Sequence, residues 1–545
     1  MQRARKTVLW GIGLMAGLVL SGCASEPEGV RSENIRTHLS TLASDQMEGR
    51  SPGTPGGERA ADYIAGAFAE AGLAPAADGG YLQQVRMVGI APKSPGRLEW
   101  DDHGRKTALE SPAQCVANPG VPEEEVNLED APMVFVGYGI VAPEVPWNDY
   151  RDLDVKGKVV VSLVNDPPSG DPTFFGGAAL TYYGRWTYKL EEAARQGAAG
   201  VLLVHTTDMA GYPWSVVQTS WSGEQFSLPD DREKSTVLEG WISQETAEAL
   251  FRKEGLSLQE AIERAGGRDF EAIPLSTRVS FHAEAVVRDV DSPNVVGWIE
   301  GSDPNLKDEY IVLTSHYDHL GVGPEVDGDR IYNGALDNAS GTALLIEVGR
   351  VLAAHRSELG RSLVFAAVTA EEQGLLGSEY YVEHPVFPLD RTVANINFDG
   401  INVWGETEEM VAMGAERSTI RNVVAQVFSA MNINRTADPF PEKGYFFRSD
   451  QFSFVKAGVP AVYYDYGLRF RGKPADWGEK LMTSYVEQHY HQPSDEYDST
   501  WPLEGAVQMG QVVVRTAELL SAQEERPRWN EGDPFAQASN RPPGE

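Results

Sequence analysis

The chain has 545 residues and a formal net charge of −34, and 41% of its residues are hydrophobic. This length predicts two or three domains with sizeable cores. Because nucleic-acid binding requires a basic surface, the acidic balance argues against a nucleic-acid partner. We interpret the acidity mainly as a solvated surface that mildly favours substrates with a free amine.

The N-terminal segment has the features of a bacterial lipoprotein leader. Three basic residues among the first six precede an apolar stretch at 8–20, which ends in Leu20-Ser-Gly-Cys23. Small residues before a cysteine resemble a lipoprotein cleavage box. We therefore expect a signal peptide at 1–22, with Cys23 lipidated and the protein anchored in a bacterial cell envelope. An ordinary secretory leader with a chance cysteine is the alternative. A transmembrane anchor is disfavoured, because the apolar core is shorter than the ~20 residues of a membrane-spanning helix.

The next residue, Ala24, also bears on the anchor. It stands where an acidic residue commonly retains lipoproteins in the inner membrane, which favours the outer membrane if the source is Gram-negative.

The first folded segment follows a polar tether at 23–30. Helical periodicity is present at 35–42 and at 57–71, and the glycine- and proline-rich stretch 49–56 between them indicates a loop of fixed geometry. We assign residues 31–92 to the first part of the main domain.

From residue 93 the pattern changes to short β-type runs separated by turns. Together with one helical pattern at 188–196, these runs predict a smaller, β-rich α/β insert over 93–287. The main domain is expected to resume at 288–523. The remaining segment, 524–545, is rich in proline and charge and is predicted to be disordered.

Three short apolar runs in the second part of the main domain each stop at residues that can bind a metal ion. They lie at 311–314, 363–368 and 393–398. Such runs predict strands buried on both faces of a largely parallel sheet. Ligands of open α/β sheets bind beyond the carboxyl ends of the strands. We therefore expect the following residues, His316, Glu371, Glu372 and Asp399, to form a site there.

Two more candidates lie outside these strands. Asp337 is in the glycine-bracketed loop 334–341, where Ser340 is a candidate helix N-cap. His491 follows a later apolar run at 459–464. Nitrogen and oxygen ligands without thiolate suit zinc, cobalt or manganese in a hydrolytic site better than a structural zinc.

The two adjacent glutamates cannot easily bind one ion together, because neighbouring side chains diverge. One is expected to be the ligand, which leaves the other free to act as a base.

Five motifs, in this order, resemble the co-catalytic di-zinc aminopeptidase family, which includes glutamate carboxypeptidase and the non-catalytic transferrin receptor. The motifs are His316-x-Asp318, Gly334-Ala-Leu-Asp337-Asn-Ala-Ser-Gly341, Glu371-Glu372, Asn397-Phe-Asp399-Gly400 and Tyr490-His491. The resemblance covers most of the chain after the leader. It implies an α/β fold whose mixed, largely parallel central sheet is flanked by helices.

The insert contains shorter motifs, such as Val136-Gly-Tyr-Gly139 and Gly197-Ala-Ala-Gly200, that resemble the protease-associated domain of many relatives. A generic α/β insert without a defined role is the alternative.

The resemblance also implies a role for each metal-binding candidate. His316 and Asp399 would hold one divalent ion, expected to be zinc. Glu372 and His491 would hold a second, and Asp337 would bridge the two. Glu371 would then be the general base.

The resemblance implies supporting roles for three further residues. Asp318 would fix the imidazole of His316, Tyr490 would donate to the oxyanion, and Arg448 would lie near the substrate. Many relatives read Ser-Asp-His where this chain has Ser449-Asp-Gln451, a departure that removes none of the five ligands.

These features predict a metal-dependent exopeptidase, first of all an aminopeptidase acting on peptides through a water activated by two zinc ions. A dipeptidase or carboxypeptidase and a single-zinc glutaminyl cyclase of the same fold are alternatives, as is a non-catalytic receptor-like binding protein. The complete ligand set together with Glu371 favours catalysis over the receptor, and it favours two metals over one.

Overall fold

Residues 29–536, apart from Asp78 and Pro172, are described by a computed structural model. The predicted signal peptide and Cys23 lie outside the described residues. Among the helices that are described, none is long and apolar enough to cross a bilayer.

The main domain begins with two helices and two strands. They are α1 (Ser32–Leu42), α2 (Pro55–Glu70), β1 (Ala74–Pro75) and β2 (Leu82–Pro92). The Thr54 side chain accepts a hydrogen bond from the Gly57 N–H at the start of α2, and Pro55 occupies a first-turn position where no N–H is needed. Both helices overlap the helical patterns in the sequence.

The insert combines short strands with short helices. Its elements are β3 (Arg97–Asp102), β4 (Arg105–Ala108), β5 (Cys115–Pro119), β6 (Glu125–Phe135), β7 (Val141–Ala142), β8 (Trp147–Asn148), β9 (Val159–Leu163), α3 (Trp186–Arg195), β10 (Gly200–Val204), α4 (Thr207–Ala210), α5 (Trp214–Ser220), β11 (Gln225–Ser227), β12 (Leu238–Ile242), α6 (Gln244–Lys253) and α7 (Leu258–Ala265).

The main domain then resumes with alternating strands and helices. They are β13 (Ile273–Ile299), β14 (Tyr310–His316), β15 (Gly321–Val326), β16 (Asp329–Tyr332), α8 (Ser340–Ala354), β17 (Ser362–Val368), α9 (Leu376–Glu383), β18 (Thr392–Asn397), β19 (Glu409–Met413), α10 (Ile420–Ala430), β20 (Asn434–Arg435), α11 (Gln451–Lys456), β21 (Ala461–Tyr466), α12 (Trp477–Gln488) and α13 (Glu504–Ala522).

The main sheet has a parallel centre and antiparallel margins. Strands β17, β14, β18 and β21 lie side by side in parallel. On one side β17 pairs antiparallel with β13, which pairs antiparallel with β2, and on the other β21 pairs antiparallel with β19. Because the central strands are parallel, their carboxyl ends meet at one edge, where the sequence predicts the site.

Helices cover both faces of this sheet. Ile311 and Leu313 of β14 are fully buried in a core shared with α1, α2, α8, α10 and α13. Val312, pointing the other way, packs with residues of α9 and α11. This burial on both faces explains why the central strands are apolar runs without alternation.

Strand β13 connects the main domain to the insert. Its residues 278–282 pair with β3 and its 273–284 segment pairs with β6 in the insert's sheet, whereas residues 285–299 pair with β2 and β17 in the main sheet. The insert's sheet continues from β6 through β9, β10 and β12 to β5. The predicted boundary at 287 therefore falls inside one continuous strand.

The predicted disorder of the C-terminal segment is wrong for residues 524–536. Trp529 donates its indole N–H to the Gly458 carbonyl at 2.8 Å, and Asp533 forms an ion pair with Arg417 at 2.9 Å. Residues 537–545 lie outside the described residues. At the other end, Val30 of the predicted tether is already buried in the main core.

Candidate metal centre

The central strands deliver three predicted site residues to one edge of the sheet. His316 is the last residue of β14 and is fully buried. Glu371 follows β17 after Ala370, whose φ of +53° is rare for a residue with a side chain. Asp399 follows β18. The structure thus brings together residues that lie up to 83 positions apart.

Asp337 lies between the two predicted histidines. Its Oδ1 is 3.3 Å from Nε2 of His316, and its Oδ2 is 3.3 Å from Nε2 of His491. The loop that carries it is held by Asp495, whose carboxylate accepts the N–H groups of Leu336 at 3.0 Å and Asp337 at 3.1 Å. A carboxylate placed in this way can bridge two cations.

Each histidine has a further carboxylate of its own. His316 Nε2 lies 3.2 Å from Asp399 Oδ1, and His491 Nε2 lies 3.0 Å from Glu372 Oε2. The pairing of these residues matches the two half-sites implied by the resemblance. Glu371 Oε2 is farther away, 3.9 Å from His316 Nε2.

His319, which had no predicted role, also contacts the centre. Its Nδ1 lies 2.7 Å from Glu372 Oε1, while its Nε2 is buried without a hydrogen-bond partner among the described residues. His319 and His491 therefore reach Glu372 at its two different oxygens.

Asp318 is placed differently from the expectation. Its carboxylate is 3.7 Å from Nδ1 of His316, too far for a hydrogen bond, and that nitrogen lies instead 3.3 Å from the Asp318 carbonyl. The carboxylate accepts the backbone N–H of Glu371 at 3.1 Å. Asp318 therefore positions the segment carrying the two glutamates.

Arg50 ties the N-terminal loop to the same edge. The fully buried guanidinium donates to the carbonyls of Tyr317, Asn333 and Gly334 at 2.6 to 2.8 Å. Burial lowers the pKa of Arg50 to about 10 against the opposing charges of nearby carboxylates. The glycine-rich stretch 49–56 thus supports the Asp337 loop.

The insert also reaches the centre. Ser220, the last residue of α5, places its hydroxyl 2.7 Å from Nδ1 of His491. The hydroxyl can accept an Nδ1–H and so leave Nε2 free for a metal. No motif in the sequence predicts this contact.

The surroundings of the two adjacent glutamates shift their pKa values in opposite directions. Burial raises the pKa of Glu371 well above its ordinary value, and the charges of Asp399 and Glu372 reinforce the shift against His316. Burial also acts to raise the pKa of Glu372, but the charges of His491 and His319 outweigh it and lower the pKa to about 2. The two histidines thus favour the anionic form of Glu372, whereas burial disfavours the anionic form of Glu371.

The donor set fits two divalent cations. His316, Asp337 and Asp399 offer atoms that all lie within 4.8 Å of one another, and so do His319, Asp337 and Glu372. His491 lies against this second group, 3.3 Å from Asp337 and 3.0 Å from Glu372. In the described part of the chain, the salt bridges of these carboxylates are to histidines only. Buried carboxylates this close together require compensating positive charge, which metal ions supply.

The centre opens into a pocket of about 140 Å³ with largely aromatic walls. The Tyr490 ring packs on His491 with centroids 4.0 Å apart, and burial raises its pKa well above the ordinary value. The Arg448 guanidinium lies 5.2 Å from the ring centroid of Tyr212, which the insert contributes. Both predicted substrate-facing residues line this pocket together with Glu371.

Comparison with known proteins agrees with this architecture. Residues 294–517 match the model of peptidase family M28. Aminopeptidase YwaD of Bacillus subtilis (strain 168) is 28% identical over 252 residues, which are 46% of this chain and 49% of that protein. A glutamate carboxypeptidase 2 homolog of Caenorhabditis briggsae is 25% identical over 525 residues, 81% of this chain and 62% of the relative. The chain thus spans about half to three-fifths of these relatives.

The fold has a counterpart of known structure. An aminopeptidase from Aneurinibacillus sp. strain AM-1 superposes with a TM-score of 0.53 at 19% identity, covering 91% of this chain and 95% of that one. The predicted fold class and family resemblance are both confirmed. His316, Asp337, Glu371, Glu372, Asp399 and His491 all lie within the segment that matches peptidase family M28.

Proposed function

We propose that the protein is a zinc-dependent exopeptidase, specifically an aminopeptidase that removes N-terminal residues from peptides. The observation that carries this proposal is the position of Asp337 between two histidines, each with a further carboxylate, beside an open pocket. Relatives named as aminopeptidases and as probable zinc metalloproteases support it.

In this proposal the ligands divide into two half-sites. His316 and Asp399 would hold one zinc ion, Glu372 and His491 the other, and Asp337 would bridge them. Zinc bound there would generate a nucleophile from water at neutral pH and stabilise the developing negative charge.

The remaining steps belong to side chains of the pocket. Glu371 accepts a proton from the attacking water at a carboxylate oxygen and returns it to the leaving amine. The Tyr490 hydroxyl donates to the substrate oxygen as its charge develops. Arg448 lies in the same pocket and binds the peptide beyond the scissile bond.

The test compares aminoacyl chromogenic substrates having a free α-amine with their N-acetylated counterparts, together with metal analysis. We expect hydrolysis of the free forms only, loss of activity on chelation, recovery with zinc, and about two ions per chain. Cleavage of N-acetylated peptides at the C-terminal residue would indicate a carboxypeptidase instead. A single bound ion together with cyclisation of N-terminal glutamine would indicate a glutaminyl cyclase. Bound metal without hydrolysis of any substrate would indicate a receptor-like protein.

We further propose that Cys23 carries a lipid that anchors the protein in a bacterial cell envelope. The basic and apolar leader before Leu20-Ser-Gly-Cys23 supports it. A fatty-acid analogue is expected to label the wild type but not Cys23→Ser in bacterial cells. Equal labelling of both, or of neither, would reject the anchor.

A further inference from the structure

A buried carboxylate in the pocket wall has no role in the proposed reaction. Asp465 lies in β21, lines the pocket and is only 8% exposed. Its Oδ1 accepts the backbone N–H of Tyr466 at 2.7 Å. Among the described residues, no side chain donates a hydrogen bond to Asp465 and no basic group lies within 4.0 Å of it.

The charges around Asp465 leave it uncompensated. Burial raises its pKa to about 8, and the negative charges of Asp438 and Asp399 reinforce the shift. Arg448 lines the same pocket, but its guanidinium lies over the rings of Tyr212 and Tyr445. The raised pKa means that the charged form of Asp465 is costly in this environment, and a cation bound from outside the protein would stabilise that form.

The position of Asp465 relative to the metal centre suits a substrate side chain. Tyr463 precedes it by two residues on the same face of β21, and the Tyr463 hydroxyl donates to the Asp399 carbonyl at 2.8 Å. Asp465 therefore lines the same pocket as Glu371 and the predicted ligands Asp337 and Asp399, where the side chain of a bound substrate would lie.

The walls of this pocket are apolar over most of their surface. Tyr445, Tyr463 and Tyr466 present aromatic rings, and Met482 of α12 adds a thioether. Lysine and arginine have aliphatic stems that pack on such surfaces and a charged head at the end. Aromatic rings also attract cations.

We propose that this pocket receives the side chain of an N-terminal lysine or arginine, whose charged head binds the Asp465 carboxylate. The inference rests on the proposed aminopeptidase function and names its substrate class. The protein's net charge of −34 would favour the approach of such basic peptides.

The test measures kcat/KM for Lys-, Arg-, Nε-acetyl-Lys- and Leu-derived chromogenic substrates. The wild type is expected to favour lysine and arginine over leucine, and lysine over its acetylated form, which keeps the stem and loses the charge. Asp465→Asn should lower kcat/KM for the two basic substrates by about 30-fold or more, as expected for one partner of a buried ion pair. It should leave leucine within about 2-fold, which also shows that the variant folds.

Asp438→Asn is the matched control, because Asp438 lies near Asp465 but does not line this pocket. Its substrate preference is expected to be that of the wild type. Equal losses on basic and neutral substrates in Asp465→Asn, or a wild type that prefers leucine, would overturn the specificity and leave the aminopeptidase intact. No hydrolysis of any aminoacyl substrate would overturn both proposals.

Discussion

Glu371 and Glu372 are neighbours in the sequence with different surroundings in the centre. Glu372 contacts His319 and His491 at 2.7 and 3.0 Å, whereas the nearest histidine nitrogen in an ion pair with Glu371 is 3.9 Å away. The first arrangement is that of a ligand, and the second leaves a carboxylate free to exchange a proton.

This difference predicts opposite effects of the same substitution. Glu371→Gln is expected to keep near-native metal content while kcat falls by roughly 10²–10⁴-fold, since only the proton acceptor is lost. Glu372→Gln is expected to lower metal occupancy first, with activity partly restored by added zinc. Metal analysis beside steady-state kinetics separates the two. Loss of metal in Glu371→Gln but not in Glu372→Gln would reverse the assignment.

A second residue-scale prediction concerns His205, which follows β10 in the insert. The ring is buried, and its Nε2 lies 3.1 Å from the Tyr212 carbonyl, so it supports the segment that lines the pocket. Burial lowers the pKa of His205 to about 4, against the effect of that hydrogen bond.

The sign of the pH effect follows from the unfolded chain, where a histidine titrates near 6.5. Between about pH 6.5 and 4 the His205 imidazole is protonated in the unfolded chain but not in the folded chain, so stability falls as the pH falls. The difference between the two pKa values lowers the free energy of unfolding by about 2 kcal/mol between pH 7 and 5. His205→Gln keeps a hydrogen-bond donor but removes the titrating group. Its stability, measured by urea unfolding, should therefore fall less steeply between pH 7 and 5. The exposed His103→Gln should behave like the wild type; an unchanged slope in His205→Gln would exclude this origin.

At the scale of single residues, the sequence predicts ligands better than their supports. The five ligand candidates lie in recognisable local motifs next to apolar runs. Asp495 supports the Asp337 loop although it lies 158 residues away in the sequence. Ser220 supports His491 from a position 271 residues away. Such contacts depend on the tertiary fold and leave no local pattern.

At the scale of elements, helix α5 of the insert contacts the predicted ligand His491. Ser220→Ala removes the hydroxyl at His491 Nδ1 without changing the ligands themselves. We expect the affinity for the second metal to fall about 10- to 100-fold, the range seen when the partner of a ligating histidine is lost. Zinc titration against a competing chelator measures this independently of turnover.

Ser215→Ala is the matched control on the same helix, since the Ser215 side chain does not take part in the His491 contact. Its metal affinity is expected to equal that of the wild type. Equal affinities in all three proteins would show that Ser220 does not orient His491.

Elements were predictable where periodicity was strong. The central strands and the first two helices match their apolar patterns because burial imposes those patterns. The N-cap assignment of Ser340 is wrong: α8 begins at Ser340, and its hydroxyl donates to the Leu336 carbonyl at 2.7 Å. Asp337 and Asn338, just before α8, have non-helical dihedral angles, and the Asn338 side chain accepts the backbone N–H of Gly341 at 2.9 Å. Asn338 therefore satisfies a free N–H at the start of the helix.

For the whole molecule, the apolar runs and the family resemblance predicted the α/β class, but composition misjudged the C-terminal segment. Proline and charge at 524–536 indicate disorder, yet Trp529 and Phe535 pack against the core formed with Phe452. Two aromatic side chains and one ion pair are enough to order a polar segment, and an average over the segment conceals them.

The continuity of β13 has a consequence for how the protein melts. This strand of 27 residues pairs with the insert's sheet along one half and with the main sheet along the other, so one continuous backbone joins the two hydrogen-bond networks. We expect a single cooperative transition in calorimetry, with equal calorimetric and van't Hoff enthalpies. Two resolved transitions would contradict it.

The same strand couples the insert thermodynamically to the metal centre. A metal that binds only the folded centre stabilises every part of the chain that unfolds together with it. Zinc at the sheet edge should therefore slow hydrogen exchange in β6 and β3, on the far end of β13, as well as around the ligands.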